Sequence, residues 1–169
     1  MTVAAVVLAA GEASRFGSPK QRLLLPRVVG RLRETSVNEI VVVAGAYALE
    51  PPEDGRIVSC PDWERGPGAS LRCGLSALGS EVEAAVVVLA DGPTLAPQAI
   101  ERVLGAWRDA GGVVAASYEG GRSHPLIIGR ADWSDIPDKG LRDYPVRLVP
   151  CDDLGAPGDV DTEEDLRRL

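Results

Sequence analysis

Residues 3–8, 39–45, 56–59, 84–90 and 112–117 are continuous apolar runs rich in β-branched side chains. Strands with one wet face alternate apolar and polar residues, whereas unbroken runs belong to strands covered on both faces, the usual condition of a parallel sheet. The stretches between supply the covering helices. Residues 26–35, 68–78 and 97–111 space their apolar side chains helically, and the last opens on Pro97 and closes on Gly111 and Gly112, the common asymmetry of helix ends. Strand and helix in alternation predict a three-layer α/β/α, Rossmann-like fold with a mostly parallel sheet and right-handed crossovers. Beyond residue 117 the pattern loosens: residues 125–129 and 145–150 read as further strands and 162–169 as a short terminal helix. The 169 residues suit one domain, 1–169, large enough to bury a substantial core.

Several classes of function are disfavoured. A formal net charge of -7 repels a phosphate backbone, so nucleic acid is not expected as a partner. No apolar run approaches the roughly 18 residues of a membrane span, and no basic segment precedes the first strand as a secretory leader requires. A cytoplasmic protein without a membrane partner is the expectation. Cys60, Cys73 and Cys151 are odd in number and never in a C-x-x-C pair, which signals neither a disulfide framework nor a zinc site. They are expected to pack as small hydrophobes.

The segment VVLAAGEASRFGSPKQ, residues 6–21, leads out of the first strand into glycines, small residues, one arginine and one of only two lysines in the chain. In an open α/β sheet, ligands bind beyond the carboxyl ends of the strands, where glycines let backbone N–H groups approach a phosphate. Gly11 and Gly17 suit that task. Five residues separate them and the lysine follows three later, which excludes the P-loop pattern, while Ala13 and Phe16 break the dinucleotide fingerprint.

What remains, Leu8-Ala9-Ala10-Gly11-Glu12-Ala13-Ser14-Arg15-Phe16-Gly17-Ser18-Pro19-Lys20, resembles the signature loop of the MobA-like nucleotidyltransferases, and within them the molybdenum cofactor cytidylyltransferase branch. GASLRCGL (68–75), LADGPTL (89–95), GRSHPLIIGR (121–130), DKGLR (138–142) and GDVDTEEDL (158–166) resemble further family segments in the family's order. The resemblance thus covers nearly the whole chain, and implies the nucleotide-diphospho-sugar transferase type of fold.

It also implies a chemistry: a phosphate of the acceptor attacks the α-phosphorus of a nucleoside triphosphate and pyrophosphate leaves. The nucleophile arrives ionised, so alignment and charge neutralisation matter more than a general base. By resemblance, Arg15 and Lys20 hold the triphosphate, Leu8, Ala9, Ala10, Gly11, Ser14 and Gly17 shape the nucleotide loop, and Ser70 and Arg72 reach the nucleotide. His124 and Pro125 fall on the acceptor side. Asp91, at the end of a buried run, is placed to bind Mg2+, and Asp161 is the second expected ligand with Asp159 as its alternative. Plainer roles exist for each. Asp91 can cap the turn before Pro93, Ser70 can be a helix N-cap, Arg72 an exposed charge, and His124 scaffolding. Thr162 with Asp165 matches a capping box, which gives the neighbouring aspartates a structural alternative.

The family's turn after KQ is absent, the stretch after VVVAG is short, and Gly68 and Ala69 stand where polar residues are frequent. The expected partners are therefore CTP or GTP and a phosphorylated small-molecule acceptor such as molybdopterin, with a molybdoenzyme or a second copy of the chain as protein partners. Guanylyl transfer, or a non-catalytic nucleotide-binding or chaperone-like role, are the alternatives.

Overall fold

A computed structural model describes residues 1–11, 20–158 and 162–169, without the side chains of Lys20 and Gln21. Among the described residues the chain runs β1 (Thr2–Ala9), α1 (Lys20–Arg33), β2 (Glu39–Ala44), β3 (Gly55–Ser59), α2 (Pro67–Ser76), β4 (Val82–Leu89), α3 (Pro97–Ala110), β5 (Val113–Tyr118), β6 (Gly121–Gly129), β7 (Arg147–Pro150) and α4 (Glu163–Arg167). The strands form one sheet in the order β3-β2-β1-β4-β6-β5-β7. The β1–β2, β1–β4, β2–β3 and β5–β7 pairs are parallel, whereas β6 runs antiparallel to both its neighbours. The sheet is thus mostly parallel, as expected, with one strand reversed.

Alternation across the pleat divides the core. Val3, Ala5, Val7 and Ala9 of β1 join Val28, Val29 and Leu32 of α1 and Ile100, Val103 and Leu104 of α3. Ala4 and Val6 face the other way, onto Leu71 and Leu75 of α2 and onto Ile136 and Leu141. Three layers result. No helix among the described residues is long and apolar enough to cross a membrane.

Helix α1 begins at Lys20, six residues before the expected start at residue 26, and carries Pro26 in its interior. An internal proline removes one hydrogen bond and costs about 3 kcal/mol. Leu24 and Leu25, both buried in that first part of the helix, each contribute roughly 1.5–3 kcal/mol by leaving water. Burial outweighs the proline.

The cysteines also depart from expectation. Cys60, just after β3, and Cys73, on α2, form a disulfide with a Cα–Cα distance of 5.8 Å. The strand-to-helix turn folds two positions 13 apart in sequence onto each other, a proximity that no local spacing signals. Cys151 alone remains a free, buried thiol.

Candidate functional site

Strands β1 and β4 run side by side, with Leu8 opposite Leu89 at their carboxyl ends. Because β6 is antiparallel, its first residues, Arg122, Ser123 and His124, arrive at the same edge of the sheet. Two hollows open there. The smaller, about 280 Å³, is lined by Val88, Leu89, Asp91, Gly92, Leu95, Ser123, His124, Pro157 and Gly158. The larger, about 780 Å³, includes Leu8, Leu71, Val87, Leu89, Ser123, His124, Leu126, Lys139 and Arg142. Ser123 and His124 belong to both walls. The larger lies within the usual 300–1,000 Å³ of small-molecule sites. A third hollow of about 720 Å³ lies between α1 and residues 48–53 of the β2–β3 connection. Its two arginines are engaged, Arg22 with the Ala48 carbonyl at 2.9 Å and Arg33 with Asp54 at 3.2 Å.

The chain leaves β1 from a fixed base. The Leu8 carbonyl accepts from Ala90 N at 3.1 Å and the Ala10 carbonyl from Ala46 N at 2.9 Å. Ala9 and Ala10 are buried, Leu8 half-buried and Gly11 exposed. Ser14, Arg15 and Gly17 lie outside the described residues, as does the Lys20 side chain.

Asp91 follows β4 and is half-buried in the smaller hollow. The turn after it holds the approach to the second aspartate segment. Thr94 N donates to the Pro157 carbonyl at 2.9 Å, and its hydroxyl donates to the Ala156 carbonyl at 3.2 Å and to that of Pro157. Gly158 consequently lines the hollow with Asp91. Asp159 and Asp161 lie outside the described residues, and no group of three or more His, Cys, Asp or Glu among the described ones is arranged to hold a metal ion. The Asp91 carboxylate is a hard oxygen donor of the kind Mg2+ accepts, and Mg2+ typically takes only one or two such groups from a protein. The site fits such an ion in that respect. Thr162 forms the expected capping box with Asp165, which starts α4.

Ser70 is buried inside α2 rather than at its N-cap, which is Gly66. Arg72 is bound within the protein: its guanidinium donates to the Ile136 carbonyl at 2.6 Å and to Asp138. Arg65 reaches the other oxygen of the same carboxylate at 3.2 Å. Hydrogen bonding to Arg72 holds the Asp138 carboxyl below its ordinary pKa, with Arg65 adding to the effect. Gly66, with φ at +133°, and Gly68 let the main chain pass close by, and Gly68 N donates to the Asp138 carbonyl at 2.8 Å. Residues 136–143 are therefore fastened to α2.

Their far end is fastened to β6. The Arg122 guanidinium donates to the carbonyls of Leu141, Arg142 at 3.2 Å and Tyr144 at 3.0 Å, and burial lowers its pKa. Arg122, Lys139 and Arg142 stand in segments that resemble the family, yet the sequence assigns them no task. Nothing in their spacing reveals that β6 reverses and carries Arg122 beneath the loop.

Pro125 is buried and His124 half-buried. Burial pushes the His124 imidazole down to about 4, with nearby Asp91 opposing the shift and Arg122 adding to it. The imidazole is therefore neutral at pH 7. From pH 6.5 down to 4 the unfolded chain takes up a proton that the folded one refuses, so stability falls with pH across that window, by up to about 3 kcal/mol. Urea unfolding of the parent and of His124→Gln from pH 8 to 4 is expected to show the parent losing the greater stability. Equal losses would remove His124 as the cause.

The comparisons with known proteins agree with this architecture. Rv0371c of Mycobacterium tuberculosis H37Rv superposes with a TM-score of 0.82 at 27% identity, covering 99% of this chain and 97% of that one. The manganese complex of the same protein superposes with a TM-score of 0.78 at 27% identity over 100% and 98% of the two chains. A CMP:2-keto-3-deoxy-manno-octonic acid synthetase bound to CTP shares the fold, with a TM-score of 0.75 at 14% identity over 99% and 96%. The bifunctional protein GlmU of Rubrobacter xylanophilus is 32% identical over 119 residues, 63% of this chain and 25% of that protein. The chain thus spans about a quarter of that relative's length. A family model matches residues 5–151, which includes both hollows apart from Pro157 and Gly158, and by that match the chain belongs to the family of MobA-like NTP transferase domains.

Proposed function

We propose that this chain, as a single nucleotidyltransferase domain over residues 1–169, transfers CMP from CTP to a phosphorylated small molecule and releases pyrophosphate. The observation that carries the reading is the pair of hollows at the carboxyl ends of β1 and β4, meeting at Ser123 and His124. One holds the Asp91 carboxylate and the other the cations Lys139 and Arg142. A phosphate oxygen of the acceptor attacks the α-phosphorus as the bond from that phosphorus to the β-bridging oxygen breaks. With the nucleophile already ionised, a neutral His124 is no obstacle. Arg15 and Lys20 neutralise the triphosphate, Gly11 and Gly17 bring the backbone close to it, and Asp91 with Asp161 holds Mg2+. When bound, the ion screens the charge that collects on the phosphates.

The motif order supports molybdopterin as acceptor, and the CTP-bound synthetase of the same fold supports the choice of base. A cytoplasmic setting, where nucleoside triphosphates are held, follows from the reading. A thermal-shift series with CTP, GTP, ATP and UTP, with and without Mg2+, tests it. At 100 times its dissociation constant a ligand stabilises the folded state by about 2.7 kcal/mol. The melting temperature is expected to rise most with CTP and Mg2+ together, and a flat series would overturn the reading.

A further inference from the structure

The larger hollow has a floor of Leu8, Leu71, Val87, Leu89 and Leu126, and its rim is the loop of residues 139–143. We propose that Lys139 and Arg142 on this rim form a phosphate-binding lip that admits acceptors carrying a phosphate monoester on an apolar body. The inference rests on the transferase reading and adds to it the residues and the acceptor class.

Three observations support it. First, the rim is held from both sides, by Arg122 through three carbonyls, one of them that of Arg142, and by Gly68 N and Arg72 through Asp138. The Pro137 carbonyl accepts from Gly140 N at 2.9 Å, and Gly140 at φ +85° makes the turn that only a residue without Cβ adopts readily. A loop fixed in this way presents its side chains from a constant position, so less ordering is needed on binding. Second, the cations divide by task. Arg122 is committed to main-chain carbonyls, whereas Arg142 is exposed and makes no ion pair or hydrogen bond through its guanidinium among the described residues. Lys139 pairs with Asp143 at 2.7 Å, but their side chains are 64% and 66% exposed. Such a surface pair contributes little, so a phosphate dianion can displace it cheaply. Arg142 offers a fork that matches phosphate oxygens, and Lys139 a point charge beside it. Third, the carboxylate of Asp91 lies in the other hollow, on the far side of Ser123 and His124. On this side an anionic group meets Lys139 and Arg142, with Asp143, the partner of Lys139, as the one described carboxylate, while the leucine floor accepts the remainder of the molecule.

Phenyl phosphate, followed by amide chemical shifts, is the probe. It is expected to bind saturably, with the shifted amides at 139–143, and more tightly than inorganic phosphate. Phenol, which lacks the charge, is expected not to bind there. The double variant Lys139→Ala/Arg142→Ala should weaken phenyl phosphate at least tenfold and leave CTP affinity unchanged, and Arg142→Lys should recover part of the loss. Unaltered phenyl phosphate affinity in the folded double variant, or shifts centred on Gly11 instead, would overturn the lip even if CTP binds normally. Failure of CTP to bind the parent protein would instead defeat the transferase reading.

Discussion

Asp91→Asn is expected to reduce CMP transfer at least about 100-fold, while the melting temperature moves by less than about 2 °C. The substitution keeps the shape of the side chain and removes its charge at the one described carboxylate of the smaller hollow. Loss of a single well-placed electrostatic contact to a transition state typically costs 10²–10³ in rate. The local fold has other supports: Gly92 N donates to the Leu89 carbonyl at 3.3 Å, and Thr94 holds Pro157 from the same turn. A carboxylate retained for chemistry is often neutral or costly for stability. Pyrophosphate release and thermal unfolding, measured on the same preparation, check both halves. A variant that melts far below the parent would assign Asp91 to the turn rather than to the reaction.

Gly68→Ala is expected to produce the largest loss of stability of any single methyl addition considered. A Cβ at residue 68 would lie 1.7 Å from the Pro137 carbonyl oxygen and 2.8 Å from Gly140 N. Both are main-chain atoms, so no side-chain rotation relieves the clash, and α2 must part from residues 136–143. Overpacking costs typically 1–3 kcal/mol and more where the surroundings cannot yield. At about 3 kcal/mol the melting temperature falls by roughly 6–12 °C for a chain of this size. Gly105→Ala, in the middle of α3, is the control. Nothing lies within 4 Å of a Cβ there, and the gain in helix propensity predicts a neutral or slightly raised melting temperature. Equal behaviour of the two variants would show that the contact between α2 and the loop is soft.

Much of the fold is legible in the chain because the buried strands are unbroken. The run at residues 84–90 is apolar on both sides for the physical reason that β4 lies mid-sheet beneath helices on both faces, and β1 beside it reads the same way. The reversal of β6 is not legible. Its Leu126, Ile127 and Ile128 are as apolar as a parallel strand's, and direction is decided by where Glu119 and Gly120 turn the chain, with positive φ at both. The early start of α1 is hidden by Pro26, since sequence rules weigh a proline more readily than the burial of Leu24 and Leu25.

The site divides in the same way. Asp91 and His124 stand in short patterns, and the fold brings them to the walls of one hollow. Arg72 stands in an equally clear pattern, but Asp138, 66 residues away in sequence, takes its guanidinium. The rim residues Lys139 and Arg142 acquire a meaning only once Arg122 is seen beneath them. These are contacts between distant parts of the chain, and periodicity carries no record of them.

Pyrophosphate release from CTP, measured with Mg2+ and with or without a phosphorylated acceptor, distinguishes nucleotidyl transfer from nucleotide binding alone. Molybdopterin and simpler phosphomonoesters serve as acceptors. Release is expected only when CTP and an acceptor are both present, with one CMP joined to the acceptor for each pyrophosphate formed. Release at the same rate without any acceptor, or none with any of them while CTP still binds, would contradict the transferase reading.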